Sequence, residues 1–302
     1  MESVTFKMKF VRDMSNTKLV THAECSDGSG CAIVFLEAGG VRENIRFVPA
    51  GTGVEKLLND EPEFFSTANH VIIADVSCDA ETADDIEKKY GNCIIIDHHK
   101  SALHLKDRDW CHIDVSVCGS MLLYYYFFTN SSSMRAEDLH RLCQLINDRD
   151  MWILKEEASD ELQLYMNFYG QERFIDRMWS DLFCHGWKEH EETFVNALKK
   201  KREDYIENAL KKVFIREVDG KKLGYVFISD HQSMVLNRLI EKYNLDAGVG
   251  IMLDGAVVSL RAKGAVDVSV ICEGYGGGGH ANAAGHRLPD EVLEEILEVI
   301  HP

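Results

Sequence analysis

A chain of 302 residues is long enough for two domains with separate cores. Its apolar share of 45% and charged share of 27% suit a globular protein, and no apolar run approaches the roughly 20 residues of a membrane span. The net charge of −17 excludes tight, non-specific binding of long nucleic acid, which rests on neutralising many phosphates, but leaves room for a short nucleotide at one site.

Lys7 and Lys9 interrupt the apolar character of residues 1–10, so a signal peptide is not expected there and a cytoplasmic location is the default. The nine cysteines form no CxxC pair, which argues against a zinc ribbon or a thioredoxin-like motif. Most lie in apolar context and read as small core residues of a reducing compartment.

Residues 18–22 read as a short strand ending in His22. A turn-rich loop follows over 23–30, then an apolar helix over 31–36 that closes near Gly39 and Gly40. His22 is either a satisfied structural residue or a ligand, and Asp27 is either the helix N-cap or a ligand. A second strand is expected at 45–48 and a third at 71–77, the latter reaching Asp75. An amphipathic helix over 79–90 leads to a fourth strand at 92–96, which runs straight into Asp97, His98 and His99. Strands alternating with helices predict an α/β fold with a mostly parallel sheet. Parallel strands would bring His22, Asp75 and the Asp97-His98-His99 run to one carboxyl edge, where open α/β sheets bind ligands. Oxygen and nitrogen donors gathered there suit a hard divalent cation.

Residues 118–128 read as a buried helix. A helix over 135–146 delivers Asn147-Asp148-Arg149-Asp150-Met151-Trp152. Asp148 is a candidate ligand, because the helix dipole disfavours an acid at a C-terminal turn and a cation would relieve it. Arg149 pairs either with phosphate or with Asp150. Residues 187–213 are charged and free of Pro and Gly, reading as a solvated helix that joins two halves, with 199–202 as an exposed basic face. In the second half a strand over 223–228, a helix over 232–243 and a hairpin of 247–253 with 256–260 are expected, then a short helix over 266–274. Four glycines, 276–279, precede His280. Glycines let backbone amides approach an anion, and a helix starting there would add its positive end, although the same glycines could form a flexible linker. Residues 290–300 form an amphipathic helix.

Taken together, residues 22–28, Asp75 after its apolar strand, Asp97-His98-His99, Asp148-Arg149-Asp150-Met151-Trp152, Ser259-Leu260-Arg261 and 276–285 resemble the DHH phosphoesterase superfamily. The resemblance is to the branch carrying a DHHA1 domain, which includes RecJ-type exonucleases, nanoRNA degraders, pAp phosphatases and cyclic-dinucleotide phosphodiesterases. It covers nearly the whole chain in the family's order, and the Asp-Arg-Asp-x-Trp and His-x-x-Cys-x-Asp-Gly forms look most nanoRNase-like. It implies a DHH catalytic domain over 1–185, a linker helix over 186–213 and a smaller α/β DHHA1 domain over 214–302 that carries substrate across a cleft. By position, it implies two divalent ions, usually Mn2+, with other divalent metals allowed. Asp75 would bridge both; His22 would join it on the first ion, and Asp27, His98 and Asp148 on the second. His99 would face the substrate phosphate with Asp97 supporting the site. Arg261, Lys263, Gly277, Gly278, Gly279 and His280 would bind substrate phosphates. One departure stands out: many members have Asp-x-Asp in the first motif, and Cys25 takes the first of those positions here, so that either Cys25 coordinates as a thiolate, which favours zinc or iron over manganese, or Glu24 substitutes, or the first ion binds weakly.

The leading expectation is a two-metal phosphodiesterase, an oligoribonuclease-like hydrolase that releases mononucleotides from very short RNA or DNA or from linear dinucleotides. A pAp or cyclic-dinucleotide phosphohydrolase is the enzyme alternative, and a non-catalytic nucleotide-binding protein the alternative of another class. No membrane partner is expected, and a homodimer is left open.

Overall fold

The computed structural model describes residues 11, 13–129, 131–264 and 266–300; the signal-peptide expectation over residues 1–10 lies outside them. The chain divides into two compact units, Met1–Val195 and Asn196–Pro302.

The first unit runs β1 (Thr17–His22), α1 (Ser26–Glu37), β2 (Ile45–Val48), α2 (Gly53–Asp60), α3 (Pro62–Ser66), β3 (His70–Ala74), α4 (Ala80–Lys89), β4 (Cys93–Asp97), β5 (Cys111–Ile113), α5 (Gly119–Phe128), α6 (Met134–Asp150), α7 (Glu157–Tyr169) and α8 (Gln171–Asp181). It ends within α9 (Glu189–Ala209), so the division between the units falls inside the helix expected as a linker. The sheet has strand order β2-β1-β3-β4-β5, and its strand pairs are parallel.

Alternation along the strands builds two cores, one on each face. Ile72, Ala74, Ile94 and Ile96 point into one cluster, which α1, α5 and α6 complete with Phe35, Leu122 and Ile146. Val71, Ile73, Cys93 and Ile95 point the other way, against Leu57, Phe65 and Ile86 of α2, α3 and α4. A strand covered on both faces carries continuous β-branched residues, which is why β3 and β4 read so plainly in the sequence. Each such side chain, fully buried, contributes about 1.5–3 kcal/mol of transfer free energy. Along α1 every residue from Ser26 to Leu36 is buried, so the helix is wrapped by protein rather than laid on the surface.

This order, in which β1 connects outward to β2 and then back past itself to β3, reverses between β1 and β3. Crevices at such a switch point, outside the carboxyl ends of the strands, are where α/β sheets hold ligands. The close approach of α1 to the end of β1 depends on Gly28. A Cβ there would lie 2.1 Å from the His22 carbonyl oxygen, a backbone atom with no freedom to move aside.

The second unit contains β6 (Val213–Val218), β7 (Lys221–Phe227), α10 (Gln232–Tyr243), β8 (Ala247–Met252), β9 (Val257–Ala262), α11 (Val268–Glu273), β10 (Gly278–His280), β11 (Ala283–Arg287) and α12 (Asp290–Ile300). Its sheet order is β10-β11-β9-β8-β7-β6, antiparallel except for the β7–β8 pair. Two expectations are corrected here. The glycine run feeds not a helix but β10, the outer strand of a hairpin with β11, because Gly278, Gly279 and His280 pair with Gly285, Ala284 and Ala283. The basic face over 199–202 is not wholly exposed: Arg202 is buried.

Gly28→Ala should lower stability by about 1–3 kcal/mol through overpacking against the strand end, despite the higher helix propensity of alanine. Urea unfolding of the two proteins checks this; equal midpoints would show that α1 can shift at no cost.

Candidate metal centre

Three strand ends and three helix ends meet at the switch point. β1 delivers His22, the turn after β3 delivers Asp75, and β4 delivers Asp97 with His98 and His99 directly after it. Asp75 sits at φ +58°, a left-handed conformation that costs a non-glycine residue strain and is typical of functional turns. Its amide still closes the sheet by donating to the Ile96 carbonyl at 3.1 Å. Donor atoms of Asp75, Asp97, His98 and His99 lie within 4.8 Å of one another, as do those of His22, Cys25 and Asp75, and those of Asp27, His98 and Asp150.

His98 Nε2 is the hub. It lies 3.2 Å from Asp75 Oδ1 and 3.6 Å from both Asp27 Oδ2 and Asp150 Oδ2. On the opposite side of Asp75, His22 Nδ1 is 3.9 Å from Oδ2. Asp97 turns the other way: its Oδ1 accepts from the His98 amide at 2.8 Å and meets His99 Nδ1 at 2.8 Å, fixing the His99 ring.

Asp27 does not cap α1, one of the two roles open to it in the sequence. The cap is Cys25, whose sulfur accepts from the Asp27 amide at 3.3 Å. The Asp27 carboxylate reaches instead to the N-terminus of α5, accepting from the amides of Gly119 at 2.6 Å and Ser120 at 2.8 Å. Helix N-termini favour anions, so α5 anchors this acid from behind. Glycine is needed at 119 because a Cβ there would stand 2.7 Å from the Asp75 Cβ.

Asp148, expected as a ligand, is not brought into these clusters. Its carboxylate accepts from the amides of Lys155 at 3.1 Å and Glu156 at 3.1 Å and from the Ser159 hydroxyl at 2.7 Å, tying down the turn that starts α7. Residues two apart on a helix point to nearly opposite sides, so only one of the two acids on α6 can face the strand ends. That one is Asp150. Arg149 lies between them, 3.5 Å from Asp160 and over the ring of Trp152.

Electrostatically the centre is under tension. Burial, then the neighbouring Asp27, Asp150 and Asp97 carboxylates, push the Asp75 carboxyl well above its ordinary range. Burial and Asp27 lift Asp150 to about 6. For Asp27 and Asp97 burial acts the same way but is outweighed, by His98 and the Ser120 donors for Asp27 and by His99 for Asp97, so both stay below the usual value. Burial and His99 lower His22, which favours its neutral, lone-pair-bearing form. Asp75 Oδ2 and Asp97 Oδ2 are buried with no hydrogen-bond partner. A buried acceptor left without a donor is costly, and a divalent cation would satisfy it while cancelling the repulsion. The donor set of carboxylates and imidazoles therefore fits divalent metal. A cavity of about 310 Å³ opens beside it, with His22, Asp75, Asp97 and His99 on its wall.

Within the second unit, Arg261 of β9 is in register with Ala283 of β11, which is in register with His280 of β10. Residues directly opposite in a sheet project from the same face, so Arg261 and His280 flank a single alanine, about 10 Å apart at two strand spacings. The adjoining row, Ser259, Gly285 and Gly278, bears almost no side chain. The guanidinium is steadied by the Ser233 hydroxyl at 2.6 Å and the Leu260 carbonyl at 2.8 Å. Gly277 lets the chain pass close to β11, where a Cβ would meet the Gly285 carbonyl at 2.2 Å. Gly279 adopts φ +142°, and Lys263 is exposed just beyond β9.

Sequence reasoning missed Asp150 and the Gly119–Ser120 anchor. Asp150 extends the buried stripe of Cys143 and Ile146 at helical spacing, a signal that was present. The anchor had none beyond small residues ahead of an apolar helix.

Residues 207–301 match the DHHA1 domain family. The chain is 26% identical over 292 residues to oligoribonuclease NrnB of Bacillus subtilis, an alignment covering 89% of this chain and 72% of that protein. Among solved structures it is similar to RecJ in complex with Mn2+ from Thermus thermophilus, with TM-score 0.63 and 11% identity over 93% of this chain and 51% of that one. It is also similar to the pGpG-specific phosphodiesterase PggH from Vibrio cholerae, with TM-score 0.54 and 14% identity over 94% and 97% of the two chains. At these identities the structural likenesses establish the fold.

Asp150→Asn should reduce divalent-metal affinity and metal-dependent turnover by at least about 100-fold, in line with loss of a group acting only at the metal-loaded site. Asp148→Asn should instead lower stability by about 1–3 kcal/mol while sparing metal affinity. Calorimetric titration with Mn2+ and urea unfolding of both variants separate the two roles; the opposite assignment of losses would restore Asp148 as the ligand.

Proposed function

We propose that this chain, which belongs to the DHH/DHHA1 phosphoesterase superfamily, is a metal-dependent phosphodiesterase that releases mononucleotides from very short oligonucleotides or linear dinucleotides. The observation that carries the reading is the convergence of Asp27, Asp75, Asp97 and Asp150 with His22, His98 and His99 at a switch point, with two buried carboxylate oxygens lacking donors. The relative named as an oligoribonuclease, aligned over most of this chain, supports the substrate class.

His22, Asp27, Asp75, His98 and Asp150 would hold the divalent cations. Bound there, such cations supply Lewis acidity toward phosphoryl oxygens and toward the attacking water. Asp97 holds His99 by Nδ1, which directs the opposite ring nitrogen away from Asp97, where a protonated ring can donate to a phosphoryl oxygen as charge builds on it. No side chain need act as a nucleophile. The Arg261–His280 row, with the bare Ser259–Gly285–Gly278 row beside it, suits a phosphate group that accepts from guanidinium, imidazole and backbone. Lys263 and Gly277 to Gly279 belong to the same phosphate-binding surface. The net charge of −17 fits short substrates held locally rather than long polyanions.

Purified protein with Mn2+ should convert oligonucleotides of about two to five residues and pGpG to mononucleotides, and chelation should abolish this. His280→Ala should raise KM while largely preserving kcat. Chromatography of products over time checks both expectations. Intact substrates under every divalent metal tried would contradict the reading and favour a non-catalytic nucleotide binder, whereas phosphate release from pAp alone would make the chain a phosphomonoesterase.

A further inference from the structure

One of the three donor groups is chemically unlike the rest. His22, Cys25 and Asp75 bring nitrogen, sulfur and oxygen within 4.8 Å of one another, and Cys25 is half-buried. The inner group, Asp27, His98 and Asp150, contains no sulfur. Cys25 also serves as the N-cap of α1, a position where sulfur is a weak acceptor and serine or aspartate would be the better choice. Capping alone thus gives no reason for a thiol. A second observation points to a ligand here: Asp75, 1% exposed, presents Oδ2 to this group with no hydrogen-bond partner.

Resting on the metal-centre reading above, we propose that Cys25 is a thiolate ligand of a divalent cation shared with His22 and Asp75, so that the two halves of the centre prefer different metals. Binding replaces the S–H bond with a metal–sulfur bond, and the proton leaves to solvent. Burial and the Asp75, Asp150 and Asp27 carboxylates push the metal-free thiol up, so the cation itself must draw off the proton; the N-terminus of the twelve-residue α1 and the Asp27 amide, which points at the sulfur, then favour the charge that forms. Three protein ligands leave a further position open, the arrangement of catalytic rather than structural zinc sites. Thiolate softness favours Zn2+, Co2+ or Fe2+ over Mn2+ and Mg2+ in this half, while the inner oxygen and nitrogen set retains the preference for harder cations. A mixed pair of metals is then the natural occupancy.

The test uses the full chain, stripped of metal and titrated with Co2+, with visible and near-ultraviolet absorption as the readout. Wild type should show ligand-field bands together with a sulfur-to-cobalt charge-transfer band. Cys25→Ser and Cys25→Asp, both good helix caps, should keep ligand-field bands and lose the charge-transfer band. Zn2+ should bleach the charge-transfer band at concentrations where Mn2+ leaves it intact. X-ray absorption of the zinc-loaded wild type should show one sulfur neighbour at about 2.3 Å, a result independent of how the variants fold. Ligand-field bands with no charge transfer in wild type, or a charge-transfer band that survives Cys25→Ser, would overturn the thiolate ligand and leave the oxygen and nitrogen centre standing. No cobalt spectrum at all would overturn both.

Discussion

Three buried carboxylates, Asp27, Asp75 and Asp97, with the half-buried Asp150 beside them, are an electrostatic burden that calls for a counterbalance. Here the burden is created by topology. Parallel strands β1, β3 and β4 must end on the same side, and each ends in a group that can bind a cation. The protein offsets part of the repulsion itself, with His98 between three acids, His99 on Asp97, and the amides of Gly119 and Ser120 on Asp27. Asp75 is left over, pushed toward its protonated form by burial and by its neighbours. A divalent cation would relieve it, because it would oppose each acid at once rather than pair with one. Structure and chemistry thus make the same demand: the geometry that strains the metal-free centre is the geometry that suits a divalent cation.

In the second unit, the proposed phosphate-binding role would meet a different need. A phosphate needs donors and close backbone approach but little side-chain bulk. The β9–β11–β10 register sets Arg261 and His280 beside a row of glycine and serine. The glycines matter because they sit in an antiparallel hairpin, where a Cβ at Gly277 would run into the Gly285 carbonyl. Their work is to leave a flat surface open, not to start a helix.

The sheet of the first unit was legible in the sequence because doubly covered strands must be apolar throughout, and β3 and β4 contain runs such as Val71-Ile72-Ile73 and Ile94-Ile95-Ile96. Their polar ends were legible for the same reason, since an acid after such a run has left the core. Short elements such as α2, α3 and β5 were not, because few residues carry the pattern. The choice between Asp148 and Asp150 could not be made from composition: both follow a buried helical stripe, through Leu145 and Ile146 respectively, and only the packing of α6 decides which stripe faces the strand ends. The glycine run was misread because local chemistry alone cannot tell a phosphate loop before a helix from one arm of a hairpin; the pairing partner, Ala283 to Gly285, lies beyond the turn.

The central claim is that repulsion among these acids is stored for a cation, and the most direct measurement of it is the thermal unfolding midpoint of wild type and Asp75→Asn, each with and without Mn2+ at neutral pH. Wild type should gain stability with metal, by about 2.7 kcal/mol at a concentration 100 times Kd. The variant should unfold at the same or a higher temperature than wild type when both are metal-free, because an amide replaces a carboxyl that was already pressed toward neutrality, and should lose most of the metal-induced gain. A variant that is equally destabilised in both conditions, or one that keeps the full gain from Mn2+, would contradict the account.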